Sequence, residues 1–171
     1  MSRNRTVGVL GLCLCSFGLV APTLAIAECI TVSGKIFNNA QADLTTLGTA
    51  HFVFGKQKFK CGIRGVPKLS DDSGDGQLNY DHTIVCDDDA GTLDPIHSQL
   101  LWDTTGDPTA DHGSCGIPGL RSFSFLETSE PVLGTGTGKF AGVTSGYITV
   151  EGTLYCTLAI DMNFAGQLCF E

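Results

Sequence analysis

Residues 134–153 read Gly134-Thr-Gly-Thr-Gly-Lys-Phe-Ala-Gly-Val-Thr-Ser-Gly-Tyr-Ile-Thr-Val-Glu-Gly-Thr153, with six glycines (134, 136, 138, 142, 146 and 152) set around a Lys-Phe pair before the chain breaks into alternation. Glycine reaches backbone angles closed to other residues, so this density predicts a shaped turn feeding a strand. It is not a phosphate loop, because it lacks the Gly-Lys-Ser/Thr order and no helical pattern follows.

Period-two alternation extends in both directions from this segment. Leu154, Cys156, Leu158, Ile160, Met162 and Phe164 share one parity, with Thr157, Ala159, Asp161 and Asn163 between them, which predicts a strand with one buried face. Leu78, Tyr80, His82, Ile84 and Cys86 repeat the pattern. Further strand-like runs cover 30–37, 49–55, 57–64, 96–104, 121–128 and 145–153, separated by Gly, Asp, Asn and Pro clusters. No run carries a convincing helical stripe; residues 38–47 have room for one turn at most. About eight strands without helices fit a sandwich or a closed barrel, and closure removes the unpaired edges that invite aggregation.

The N-terminus carries Arg3 and Arg5, an apolar run from Val7 to Val20, and Ala25-Ile26-Ala27. This pattern is expected of a secretory signal peptide cleaved after Ala27, leaving residues 28–171 as one domain, secreted or periplasmic. The apolar run is too short for a convincing membrane span, and no second candidate exists. The remaining segment has 8 Lys and Arg against 18 Asp and Glu, a net charge of −10, which argues against nucleic acid or an anionic membrane as partner. From Leu69 to Leu120 there are 11 Asp and no Lys or Arg, whereas Lys56, Lys58 and Lys60 just before share one parity. That contrast reads as a solvated basic strand and acidic loops.

Six cysteines follow the signal: Cys29, Cys61, Cys86, Cys115, Cys156 and Cys169. An even count in an exported chain is read as up to three disulfides. The expected pairs include Cys156 with Cys169 and Cys61 with Cys86. No Cys-x-x-Cys is present, which removes support for thiol oxidoreductase or zinc-ribbon chemistry.

Three constellations carry candidate chemistry. Asp71, Ser73 and Asp75 occupy the first, third and fifth positions of a calcium loop, with Gly76 at the sharp turn and Leu78 at the apolar position. The twelfth position is His82, which lacks the bidentate carboxylate, and a hairpin connection explains the same residues. His51, His82, His97 and His112 have no paired metal-ligand spacing, and His112 reads as part of a Gly/Pro/Asp loop; His82 stands out because its parity puts it on an apolar face with Tyr80. Tyr80, His82, Trp102 and Tyr147 are the candidate ligand-binding residues if they face a barrel interior, against the plainer reading that aromatics fill a small barrel. No Gly-x-Ser-x-Gly supports a serine nucleophile.

The residues Gly136, Gly138, Lys139, Phe140, Gly142, Gly146 and Tyr147 resemble the glycine-rich segment of allene oxide cyclase-like and dirigent-like proteins, over about 20 residues. The resemblance implies an eight-stranded antiparallel up-and-down barrel of calycin type, here disulfide-stapled, with a cavity for an apolar or phenolic molecule. Members of that family cyclise a fatty-acid epoxide or steer the coupling of phenoxy radicals, largely by supplying shape and orientation. No catalytic residue transfers, because nothing outside the segment matches. The expectation is therefore a small hydrophobic ligand bound without catalysis, with a cyclase or isomerase in the same cavity, or a structural protein with a filled barrel, as alternatives.

Overall fold

The computed structural model describes residues 27–68, 78–87 and 97–171. They form eight strands in chain order: β1 (Glu28–Ala40), β2 (Thr46–Phe54), β3 (Gln57–Pro67), β4 (Leu78–Asp87), β5 (His97–Ser114), β6 (Arg121–Pro131), β7 (Val143–Leu154) and β8 (Ala159–Phe170). Each strand pairs antiparallel with its chain neighbour, and β1 pairs with β8 from Glu28↔Phe170 to Asn39↔Ala159, closing an eight-stranded barrel. Of the sandwich and the closed barrel that the alternation allows, the closed antiparallel barrel is the fold.

Parity decides the two faces. Val32 and Ile36 of β1, Ile63 of β3, Ile84 of β4, Leu100 and Trp102 of β5, Ile148 and Val150 of β7, and Met162 and Phe164 of β8 are buried in one core. Outward positions carry Lys35, His51, Lys60, Arg64, Asp103, Glu130, Glu151 and Asp161. An apolar interior and a charged exterior reverse the pattern of a lipid-facing barrel. No helix among the described residues is long and apolar enough to cross a membrane. Lys68, one residue past the end of β3, lies 3.2 Å from Asp81 and 2.6 Å from Asp103, so acidic positions of β4 and β5 neutralise this one lysine.

Three disulfides join the six described cysteines: Cys29–Cys169, Cys61–Cys86 and Cys115–Cys156. Bonds of this number fit an oxidising compartment. The pairing of Cys61 with Cys86 agrees with the sequence expectation; Cys156 with Cys169 does not occur. Cys156 lies in the turn before β8 and Cys169 near its far end, at opposite ends of a 12-residue strand about 40 Å long. Cys169 instead faces Cys29 directly across the β1–β8 seam.

The chain also turns where the alternation hides it. Residues 155–158 are a tight turn, with Tyr155 N–H bonded to Ala159 O at 2.9 Å and Leu158 N–H to Tyr155 O at 2.9 Å. Leu158 takes a φ of 66° with no glycine to announce it. The strand expected from Leu154 onward is thus the end of β7, a turn, and β8. Similarly, β5 continues past Thr104 to Ser114, pairing with β6 through two register shifts as an arm. His112, read as a loop residue, lies on this arm, 2.8 Å from Ser124 Oγ.

The glycine-rich segment closes one end of the barrel. Gly134, Gly138 and Gly142 have φ values of 80°, 56° and 78°, the left-handed region that glycine tolerates. A single 3₁₀ turn, Gly138–Phe140, lies between the last two of these. It drives Phe140, 1% exposed, against Phe52 (ring centroids 5.6 Å) and Phe54 (6.0 Å), and Phe54 in turn meets Phe170 at 5.8 Å. Lys139 N–H donates to Ser98 Oγ at 2.6 Å and Thr137 N–H to Gln99 O at 2.9 Å, tying the segment to the start of β5.

Candidate functional site

Among the described residues the opposite end of the barrel is open. Here the inward parity of β1, β4, β6, β7 and β8 delivers Ala40, Tyr80, Phe123, Phe125, Leu154 and Met162 around a cavity of about 350 Å³. Leu44, from the β1–β2 turn, and Leu120, from the β5–β6 connection, stand at its rim. Tyr80 hydroxyl donates to Leu44 O at 3.3 Å, and Cys115–Cys156 links the β5–β6 connection to the β7–β8 turn. Both contacts hold rim segments in place. A larger groove of about 620 Å³ lies on the outside of the barrel among Lys35, Phe37, Glu151 and Asp161. Its walls are solvated strand faces, so the barrel mouth is the better-built site.

A polar belt crosses the barrel wall beneath the mouth. Thr46, Gly65 and His82 are in register across β2, β3 and β4. Gly65 is required there: a Cβ would lie 2.5 Å from Thr46 Oγ1 and 2.6 Å from His82 Nε2, leaving no room for either. Asn38 Nδ2 donates to Thr46 Oγ1 at 3.3 Å. On the other side, His82 Nδ1 lies 3.0 Å from Thr104 Oγ1, which lies 2.7 Å from Ser129 Oγ. Glu127, two residues before Ser129 on the same inward parity, lines both the mouth cavity and a small void below it. Asn38 Oδ1 is buried with no hydrogen-bond partner among the described residues.

The two ionisable groups of this belt are shifted in opposite directions. Burial pushes the Glu127 carboxyl from 4.5 up to about 7. Burial lowers His82 from 6.5 to about 4, against a smaller upward pull from Asp81, so its imidazole is neutral near pH 7. Tyr80, whose ring stacks on His82 at 5.5 Å, has its phenol raised by desolvation and then by the charge of Glu127.

These shifts give opposing stability slopes. Glu127 has a raised folded value, so its stabilising contribution is complete below pH 4.5 and is lost as pH rises through about 7. His82 has a depressed one, so its contribution is complete above pH 6.5 and is lost as pH falls through about 4. Between 4.5 and 6.5 the two offset each other. In Glu127→Gln the offset disappears. The gap in unfolding free energy between variant and wild type is expected to widen by about 3 kcal/mol in the variant's favour from acid to pH 8. Urea titrations of both proteins across that range check this; a gap that stays constant places Glu127 in a solvated environment.

The structure unites some of the residues singled out from sequence and separates others. Tyr80 and His82 share the cavity wall. Trp102, 1% exposed, lies below, lining the small void with His82 and Glu127 rather than the mouth. Tyr147 is 48% exposed on the outer face of β7, which removes it from any interior site. Its neighbour Ile148 takes the inward position. Asp71, Ser73 and Asp75 lie outside the described residues. Among the described residues no three His, Cys, Asp or Glu side chains converge as a metal site. His97 is 3.1 Å from Asp87 on the exterior, away from His82.

Glu127 and Asn38 were missed. The signal for Glu127 was present as a carboxylate on the parity of Phe123, Phe125 and Ser129. No protein-family model matches the chain, and comparison with curated proteins and with solved structures also returns no match.

Proposed function

We propose that this protein is a secreted binder of a small hydrophobic molecule, held in the mouth of the barrel. The observation that carries the reading is the cavity of about 350 Å³, walled by Tyr80, Phe123, Phe125, Leu154 and Met162 at one end of a barrel whose other end is packed with Phe140. That volume falls at the lower end of the range for small-ligand sites, and its mostly apolar lining with a few polar groups is the usual composition. The three disulfides agree with export. Residues 1–26 of the segment read as a signal peptide lie outside the described residues. The resemblance of the glycine-rich segment to allene oxide cyclase-like and dirigent-like barrels points to the same ligand class.

Native mass spectrometry of the oxidised protein purified from its own host tests the reading. The expected spectrum contains a small-molecule adduct that is lost under collisional activation. A bare mass, together with no change in Trp102 fluorescence on titration with small aromatic alcohols, sinks it, because Trp102 is the chain's one tryptophan and borders the void beneath the cavity.

A second reading, an isomerase or cyclase in the same cavity, is favoured by one observation. Glu127 and His82 both border the cavity, and Glu127 titrates near 7, where a general acid or base works best. Recovery of the adduct chemically unchanged after prolonged incubation separates binding from turnover.

A further inference from the structure

We propose that the cavity takes an organic cation: a small, largely apolar molecule carrying one protonated amine, whose ammonium group meets the Glu127 carboxylate at the cavity floor. The proposal rests on the binding reading above and adds the chemistry of the head group.

The first observation is an uncompensated carboxyl. Glu127 is 8% exposed and lines the cavity. Among the described residues its carboxyl has no hydrogen bond and no ion pair, and burial alone accounts for its raised affinity for a proton. A largely buried carboxyl without a protein partner is costly, and an incoming cation removes that cost.

The second observation is that neither basic side chain on the wall serves as that partner. Arg121 lines the rim, but its guanidinium is already engaged, with Nε 3.2 Å from Asp111 Oδ1 and Nη2 bonded to Asp111 Oδ2. His82 is held neutral by burial, with Nδ1 against Thr104 Oγ1.

The third observation is the rest of the wall. Tyr80, Phe123 and Phe125 present aromatic rings to the same cavity, and Phe123 and Phe125 pack edge to face at 6.2 Å. Aromatic rings beside a carboxylate recognise an ammonium through both cation–π attraction and a charge-assisted hydrogen bond. The same wall repels a carboxylate ligand, which separates amines from fatty acids of equal size. The chain's net charge of −8 adds a field that draws cations to the protein.

The test compares three probes of similar size, 2-phenylethylamine, 2-phenylethanol and 3-phenylpropionate, by Trp102 fluorescence at pH 8. Wild type is expected to bind the amine about ten-fold or more tighter than the alcohol, the scale of one charge-assisted hydrogen bond, and the carboxylate least of all. In Glu127→Gln the amine is expected to lose its advantage over the alcohol. Amine and alcohol binding equally well to wild type overturns the cation inference and leaves the hydrophobic binder standing. No binding of any of the three overturns both. A second readout does not depend on the variant: carbon-13 NMR of Glu127 in wild type should show its pKa falling under saturating 2-phenylethylamine and staying fixed under 2-phenylethanol. A pKa that ignores the amine overturns the proposal.

Discussion

Replacing Cys29 and Cys169 together by alanine is expected to lower stability by about 5 kcal/mol, the entropic value for opening a loop of this length. The bond spans 140 residues and joins the first strand to the last, so it restricts the unfolded chain more than the others, which span 25 and 41. In the folded state it sits on the β1–β8 seam, where the hydrogen-bonded ladder from Glu28 to Asn39 remains after the bond is removed. The loss should therefore come from the unfolded state, with the fold itself preserved. The same entropic argument gives about 3.5 kcal/mol for the Cys61–Cys86 bond. Both of those sulfurs are buried in the core, so alanines there also leave a void. Urea unfolding of the two double variants, with circular dichroism to confirm the strands, checks the pair. A seam variant as stable as wild type would show that the unfolded chain is already compact across the seam.

Phe140→Ala is expected to cost about 3–5 kcal/mol, the range for removing a buried phenylalanine. On a domain of this size that is a fall in Tm of roughly 10 °C. The ring is 1% exposed and is the hub between Phe52 and Phe54 at the sealed end. The left-handed glycines around it shape the turn that brings this side chain inward, so the variant keeps the turn and loses the ring it delivers. Calorimetry of the variant measures the loss. A shift of only a degree or two means that the aromatic cluster closes over the gap.

The strands were legible because the barrel has one dry face and one wet face, and period two records that directly. β4 is the clearest case, with Tyr80, His82, Ile84 and Cys86 inward and Asp81 and Thr83 between them. The expectation of Tyr147 as an interior residue ran against its own pattern: it shares parity with Thr149 and Glu151, on the wet face. The turn at 155–158 was not legible, because Cys156 and Leu158 continue the alternation while a disulfide and a left-handed leucine hold the turn. The β5–β6 arm was hidden for the opposite reason: Gly106, Asp107 and Pro108 read as loop, although the arm needs only enough pairing to reach Cys115. Disulfide pairing depends on which strand ends meet, and that follows from closure rather than from spacing. Glu127 was passed over for a chemical reason, although its parity with Phe123 and Phe125 carried the signal. A glutamate normally marks the wet face, and the register of β6 against β5, with Ser129 opposite Thr104, confirms that this one points in.

Among the described residues, the packed end around Phe140 turns the barrel into a well with one entrance. Whatever enters must leave the way it came, so two molecules cannot follow one another through, and an occupant blocks its successor until it departs. A molecule longer than the well goes in head first and leaves its tail in water. Exchange with a second protein would begin at that tail, before the buried end has moved.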